Sequence, residues 1–223
     1  MEILPDIHKI DGVTGANSYI ILDSKNITLI DTGMPGNAKR ILKYIQTLGR
    51  SPRDLQYIIL THADIDHAGN ALRLKRMSGA QIAAHEYEIA NLHGGFATST
   101  NKSLSGITTR MRFLRFRSIN VDMILKDADE IAGLKVIHTP GHTSGSICLY
   151  RAPDVLFAGD TVRVQRGNNL RFSARVFTWD AAQAYQSVRK IAELPLRVLL
   201  PGHGEPLTEN IGEKLRELLQ TNS

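Results

Sequence analysis

The segment Thr61-His-Ala-Asp-Ile-Asp-His-Ala-Gly69 constrains this chain more than any other. It follows the apolar run Tyr57-Ile-Ile-Leu60, which reads as a β-strand, and it places His62, Asp64, Asp66 and His67 within six residues. In extended backbone, side chains two apart project to the same side, so His62 and Asp64 share a face. Asp66 and His67 come as the chain turns toward a helix predicted over Ala68–Met77. So dense a run of imidazoles and carboxylates is hard to explain as ordinary surface polarity. It demands a fold in which a strand end faces a polar, ligand-binding crevice.

The same grammar recurs three times. Leu134-Lys-Val-Ile137 reads as a strand and is followed by His138-Thr-Pro-Gly-His142; Val155-Leu-Phe157 is followed by Ala-Gly-Asp160; Val198-Leu-Leu200 is followed by Pro-Gly-His203-Gly204. Glycine beside each ligand lets backbone approach a crowded site. Further strands are predicted at Tyr19–Leu22, Ile27–Ile30, Gln81–Ala84 and Ile147–Tyr150. Helical spacing runs over Asn37–Leu48, from an Asp180 cap to about Glu193, and over Asn210–Leu219. Strands of hairpin and crossover type with helices between them predict an α/β fold with two sheets sandwiched by helices.

Taken in order, these motifs resemble the metallo-β-lactamase superfamily, whose core pattern is His-x-His-x-Asp-His followed by a later His, an Asp and a final His. Asp31, in Leu29-Ile-Asp-Thr-Gly33, resembles the family's early Asp, which supports the metal loop without coordinating. The resemblance spans nearly the whole chain and implies an αββα four-layer sandwich. It further implies that His62, Asp64 and His142 hold one metal ion, that Asp66, His67 and His203 hold a second, and that Asp160 bridges them. The sequence departs from the pattern at Asp64, where the family has its second His. Counting two divalent ions against three carboxylates and a hydroxide, the cluster is close to neutral, one charge lower than with His there. Two divalent ions are expected: zinc first, with iron or manganese admitted by the harder oxygen ligand.

The activity so implied is hydrolysis of an ester, thioester or lactone by a metal-bound hydroxide, with Asp66 orienting the nucleophile. Phosphodiester cleavage is the alternative within the same chemistry. Redox chemistry at an iron centre, of the flavodiiron or persulfide dioxygenase type, is the alternative outside it. The chain stops soon after His203, so a glyoxalase-type helical extension is not expected, and a glutathione thioester is not singled out.

Charge narrows the substrate. The chain of 223 residues carries a net charge of +5. Its basic excess is local: Phe96–Val121 holds Lys102, Arg110, Arg112, Arg115 and Arg117 with no acid, and Thr161–Trp179 holds Arg163, Arg166, Arg171 and Arg175 with no acid. Arg110, Arg112 and Arg163, with His85 at the end of its strand, are candidate contacts for a small anionic substrate. The excess is modest and carries no nucleic-acid motif, so neither nucleic acid nor a membrane is an expected partner; oligomeric state is left open. With 42% hydrophobic residues the chain can fill a sizeable core, read as one domain over 1–223 with a cover insertion around 92–120. No apolar run reaches the roughly 20 residues of a membrane span. The start lacks a signal-like pattern, and a single cysteine, Cys148, excludes an intrachain disulfide and reads as a small buried apolar residue, so a cytoplasmic setting is expected.

Overall fold

The computed structural model describes residues 1–94 and 118–221. Arg110, Arg112 and most of the expected cover insertion therefore lie outside the described residues. The described chain divides into two compact units, the first running to residue 94 and resuming over 118–124, the second covering 125–221. No described helix is long and apolar enough to cross a membrane.

The first unit is built on a sheet of seven strands in sequential order: β1 (Glu2–Leu4), β2 (Ile7–Lys9), β3 (Tyr19–Leu22), β4 (Ile27–Ile30), β5 (Leu55–Ile59), β6 (Gln81–His85) and β7 (Met123–Leu125). The first four form antiparallel pairs, whereas β4, β5 and β6 run parallel, with Ile30 opposite Ile59 and Ile59 opposite Ala83. Parallel neighbours need crossovers. The first is α1 (Ala38–Thr47), whose Ala38, Ile41, Leu42 and Ile45 are buried at helical spacing. The second includes α3 (Ala71–Ser78), ended by Gly79 in the left-handed region. Ile41, Leu74, Ile58 and Ile82 belong to one core cluster.

One expected element is split. The helix predicted over Ala68–Met77 is two helices, α2 (Ile65–Ala68) and α3, with Gly69 and Asn70 between them. Apolar spacing carries straight through the break, which is imposed by the hydrogen bonds of Asn70 described below. The short strands β1, β2 and β7 had too few alternating residues to stand out. The ends of the expected insertion reach into the core: Leu92, in α4 (Ile89–Gly94), and Ile119 are both buried, and the Ile119 N–H donates to the Leu92 carbonyl at 2.9 Å.

The second unit has a five-stranded sheet in the order β14 (Val198–Pro201), β11 (Val155–Gly159), β10 (Ile147–Arg151), β9 (Leu134–His138) and β8 (Glu130–Ile131). A separate hairpin pairs β12 (Arg163–Gln165) with β13 (Asn169–Arg171). The parallel pair β11 and β14 is joined through α5 (Ala181–Ala192), and α6 (Ile211–Gln220) follows. Asp180 caps α5 as the sequence suggests, its carboxylate accepting from the Gln183 N–H at 3.0 Å. Val188 and Ile191 of α5 share a core cluster with Leu215 of α6 and Leu156 of β11.

In both units the chemistry-bearing residues follow strands of one direction. Asp31, His62 and His85 stand at or just beyond the carboxyl ends of the parallel β4, β5 and β6. His142, Asp160 and His203 follow β9, β11 and β14, which also share a direction because each of the first two is antiparallel to β10. Loops outside the carboxyl ends of such strands are where α/β sheets place their ligand sites.

The segment returning to the first sheet is fastened by Asp122, which takes the Lys75 ammonium at 2.7 Å and the Ile82 N–H at 2.8 Å. Partial burial pushes this carboxyl up, but the bonds from Lys75 and Ile82 outweigh it and leave it below its ordinary 3.8. A lowered folded-state pKa stabilises the fold above the unfolded value, a contribution lost as pH falls through the lowered one. Asp122→Asn is expected to cost on the order of 1 kcal/mol at about pH 7. The difference from the parent should shrink as pH falls below about 3.8 in denaturant titrations; a loss that does not change with pH would refute the ionic origin.

Candidate metal centre

The first ligand cluster is assembled around Asp31. This residue ends β4 with φ +55°, a left-handed conformation that Asp tolerates better than most residues. Its carboxylate accepts three bonds: from the Thr61 N–H at 2.9 Å, from the Thr61 hydroxyl at 2.8 Å and from His67 Nδ1 at 2.8 Å. A carboxylate can only accept, so His67 carries its proton on Nδ1, leaving a lone pair on Nε2. Thr61 has spent its one proton on Asp31, so its Oγ1, 3.0 Å from His62 Nδ1, must accept there. That fixes His62 in the same tautomer. The two rings lie tilted, with centroids 3.9 Å apart, and both residues are buried.

Asp64 sits at the N-cap position of α2 but makes no side-chain capping bond. Its Oδ2 lies 3.7 Å from His62 Nε2. Asp66 is partly exposed in the first turn of α2, where the Ala16 N–H donates to its carbonyl at 3.2 Å. Gly15 lets that loop pass close: a Cβ there would stand 2.9 Å from the Cβ of Asp66.

The second cluster is the trio His142, Asp160 and His203. Asp160 Oδ2 lies 3.4 Å from His203 Nε2 and 3.8 Å from His142 Nε2. His142 is held through backbone: its carbonyl accepts from the Trp179 N–H at 3.0 Å, and the Gly141 carbonyl accepts from the Asp180 N–H at 2.9 Å. Gly141 cannot be larger, because a Cβ would come within 2.3 Å of the Ala184 backbone in α5. The His203 carbonyl accepts from the Val164 N–H at 3.0 Å, and a Cβ on Gly204 would strike the Val164 carbonyl. Beside them Thr161 Oγ1 donates to Thr139 Oγ1 at 2.9 Å, with Cys148 Sγ 3.3 Å from Thr161 Oγ1. Burial pushes the Cys148 thiol up, so it is an inert packing group, in line with its sequence context.

Imidazole nitrogen and carboxylate oxygen, present in both clusters, are donors that divalent cations take. Bonds of roughly 2.0–2.2 Å from nitrogen or carboxylate oxygen, in tetrahedral arrangement, place neighbouring ligand atoms roughly 3.3–3.6 Å apart. The separations of 3.4, 3.7 and 3.8 Å are close to such edges.

The other candidates fall elsewhere. His85 is buried at the end of β6, where its Nδ1 accepts from the Tyr87 N–H at 3.4 Å and caps a short 3-10 turn. Arg163 stands in β12, partly exposed and in register with Arg171. His8 is buried, with Nδ1 3.3 Å from the Tyr44 hydroxyl.

Sequence reasoning missed Asn70. Its amide nitrogen donates to the carbonyls of Thr32 at 2.6 Å, Met34 at 2.7 Å and Gly33 at 3.2 Å; its oxygen accepts from the N–H groups of Gly36 at 3.0 Å and Ala38 at 3.1 Å. Thr32 completes the clasp, its hydroxyl donating to the His67 carbonyl at 2.8 Å and accepting from the Asn70 N–H at 3.0 Å. The one available signal was an Asn directly after a Gly at the end of the ligand run, inside an otherwise helical pattern.

Asn70→Ala would leave five buried or half-buried backbone groups without this partner and is expected to cost about 3 kcal/mol in denaturant unfolding. A loss well below about 1 kcal/mol would show that water substitutes for the amide. Asp31→Asn is expected to keep the fold but weaken divalent metal binding about 10- to 100-fold, read by competition with a chromophoric chelator. Undiminished affinity would remove Asp31 from the support of His67.

Comparison with known proteins agrees with this geometry. Residues 11–203 match the family model described as the metallo-beta-lactamase superfamily. The chain is 30% identical to the probable metallo-hydrolase YflN of Bacillus subtilis, over 91% of this chain and 86% of that protein. It is 33% identical to a hydroxyacylglutathione hydrolase of Shewanella pealeana, over 78% of this chain but only 53% of that protein. It is 30% identical to the acyl-coenzyme A thioesterase MBLAC2 of Bos taurus, over 66% of this chain and 58% of that protein. Among solved structures, a metallo-beta-lactamase family protein of Thermus thermophilus superposes with a TM-score of 0.74 at 22% identity, covering 99% of this chain and 80% of that one. That likeness establishes the α/β metallo-β-lactamase fold. With the family model matching most of its length, the chain belongs to the metallo-β-lactamase superfamily and is a metallo-hydrolase by descent.

Proposed function

We propose that this protein hydrolyses a small anionic thioester, ester or lactone in a reaction that needs two divalent ions. In this reading His62, Asp64 and His142 hold one ion, Asp66, His67 and His203 the other, and Asp160 serves both, as the order of the family's motifs implies. Zinc is the first choice, and the oxygen of Asp64 in place of an imidazole nitrogen also admits iron or manganese. The observation that carries the reading is the chain of bonds from Asp31 through Thr61 to His62 and His67. It commits the Nδ1 proton of both rings, so that each would meet a metal ion through Nε2.

Divalent ions held by such donors lower the pKa of water toward about 7 and polarise an acyl carbonyl oxygen. The protein's own groups do the rest. Asp66, half-exposed beside the buried imidazoles, accepts a proton from the attacking water and holds it in line with the acyl carbon. As the new C–O bond forms, the C–S or C–O bond to the leaving group breaks, and a proton passes to the departing sulfur or oxygen. The relatives named as a hydroxyacylglutathione hydrolase and an acyl-coenzyme A thioesterase favour the thioester within this class.

The test is a panel of a thioester, a lactone, an aryl ester and a phosphodiester, offered to protein loaded in turn with zinc, manganese or iron(II). The expected result is turnover of an acyl substrate that stops on chelation and returns with metal. Asp66→Asn should keep its fold while losing at least about 100-fold in kcat even with metal in excess. Cleavage confined to the phosphodiester would replace the acyl reading, and failure across the panel in all three metal forms would end it.

A further inference from the structure

The second unit contains a cavity of about 550 Å³ away from the three ligands of that unit, within the size range of small-molecule sites. It is lined by Arg171 at the end of β13, by Phe172 and Arg175 in the segment after it, by Ala181 and Tyr185 of α5, and by Leu218 of α6. The rings of Phe172 and Tyr185 are near parallel, at 18° and 6.4 Å between centroids. This stacked pair gives the cavity an aromatic lining that it shares with two arginines.

Charge in the cavity is one-sided. No acidic side chain is among its described lining residues, and neither Arg171 nor Arg175 has a carboxylate partner among the described residues. The nearby Asp180 carboxylate is engaged by the Gln183 N–H and side-chain amide, at 3.0 and 3.1 Å. Arginines on a merely solvated face have no need of a concave aromatic wall. Two arginines lining one cavity make a receptor for carboxylate or phosphate oxygens, to which guanidinium groups can offer paired N–H donors.

We propose that this cavity is a binding site for a small organic oxyanion, a carboxylate or phosphate monoester carrying a flat apolar body. Arg171 and Arg175 take the anionic head, and Phe172, Tyr185 and Leu218 take the body. The site does not depend on the hydrolase reading. It is nevertheless in mechanical contact with one ligand: Ser173 is part of the cavity lining and donates its hydroxyl to the Asp160 carbonyl at 2.9 Å. Ser173, Thr178 and Ala184 also line a far smaller space, about 10 Å³, against His142 and Asp160. The partition between the cavity and those ligands is therefore a single layer of residues.

Calorimetry on the full chain, with phenyl phosphate and benzoate as probes, tests this directly; inorganic phosphate and benzyl alcohol serve as half-ligands. Chelator in the buffer removes competing metal sites. Phenyl phosphate or benzoate is expected to bind with Kd on the order of 100 µM, at least about ten-fold tighter than either half-ligand. Which of the two binds better distinguishes a phosphate from a carboxylate ligand. R171Q/R175Q should weaken the preferred probe at least ten-fold with an unchanged melting temperature, and Tyr185→Leu should weaken it with the charges intact. Equal affinity in R171Q/R175Q, or no binding of either probe at millimolar concentration, would overturn the proposal.

Discussion

The first unit depends on one buried carboxylate. Asp31 is buried and takes a main-chain N–H and a hydroxyl from Thr61 and an imidazole N–H from His67. Those bonds fasten the end of β4 to Thr61, two residues beyond β5, and to the first helical turn after it. They also reach His62 through the shared threonine. Position and protonation state are thus decided by the same few contacts. Holding a charged group at 2% exposure costs much more than it returns unless each lone-pair direction is used, and here three are. The left-handed backbone at Asp31 is a further cost that this convergence sustains.

The two units solve the same problem with different means. In the first, side chains do the positioning: Asp31, Thr32, Thr61 and Asn70 form a web of polar bonds around His62 and His67. In the second, backbone does it. His142 and His203 are placed by main-chain bonds from Trp179, Asp180 and Val164, and by glycines against which α5 and β12 close. A polar web is sensitive to one altered partner. A backbone clasp resists side-chain changes but admits no added carbon at Gly141 or Gly204.

Much of this was legible in the sequence because the ligands and the strands preceding them are local signals. Apolar runs such as Ile27–Ile30 and Val198–Leu200 end where the structure ends its strands, give or take a residue or two, and the Asp180 cap stands where side-chain chemistry suggests. Asn70 escaped because its five bonds reach back more than thirty residues, and no local pattern announces so long a connection. The split between α2 and α3 escaped for the same reason. Arg163 was singled out by its place in a basic segment, but charge counting cannot say which arginines of that segment share a cavity; the aromatic pair that marks Arg171 and Arg175 is formed by Phe172 and Tyr185, from different elements.

The contact between Gly141 and Ala184 has a bearing on motion. Because the loop before His142 lies against the backbone of α5, and its carbonyls take the N–H groups at the start of that helix, loop and helix can only shift as one body. Sliding α5 along its axis by even a fraction of an ångström would carry the imidazole with it. Residues on the far face of this helix, remote from any bound ion, thereby acquire leverage over where that imidazole sits, and sequence drift there is a route by which the centre could be retuned without replacing a single ligand.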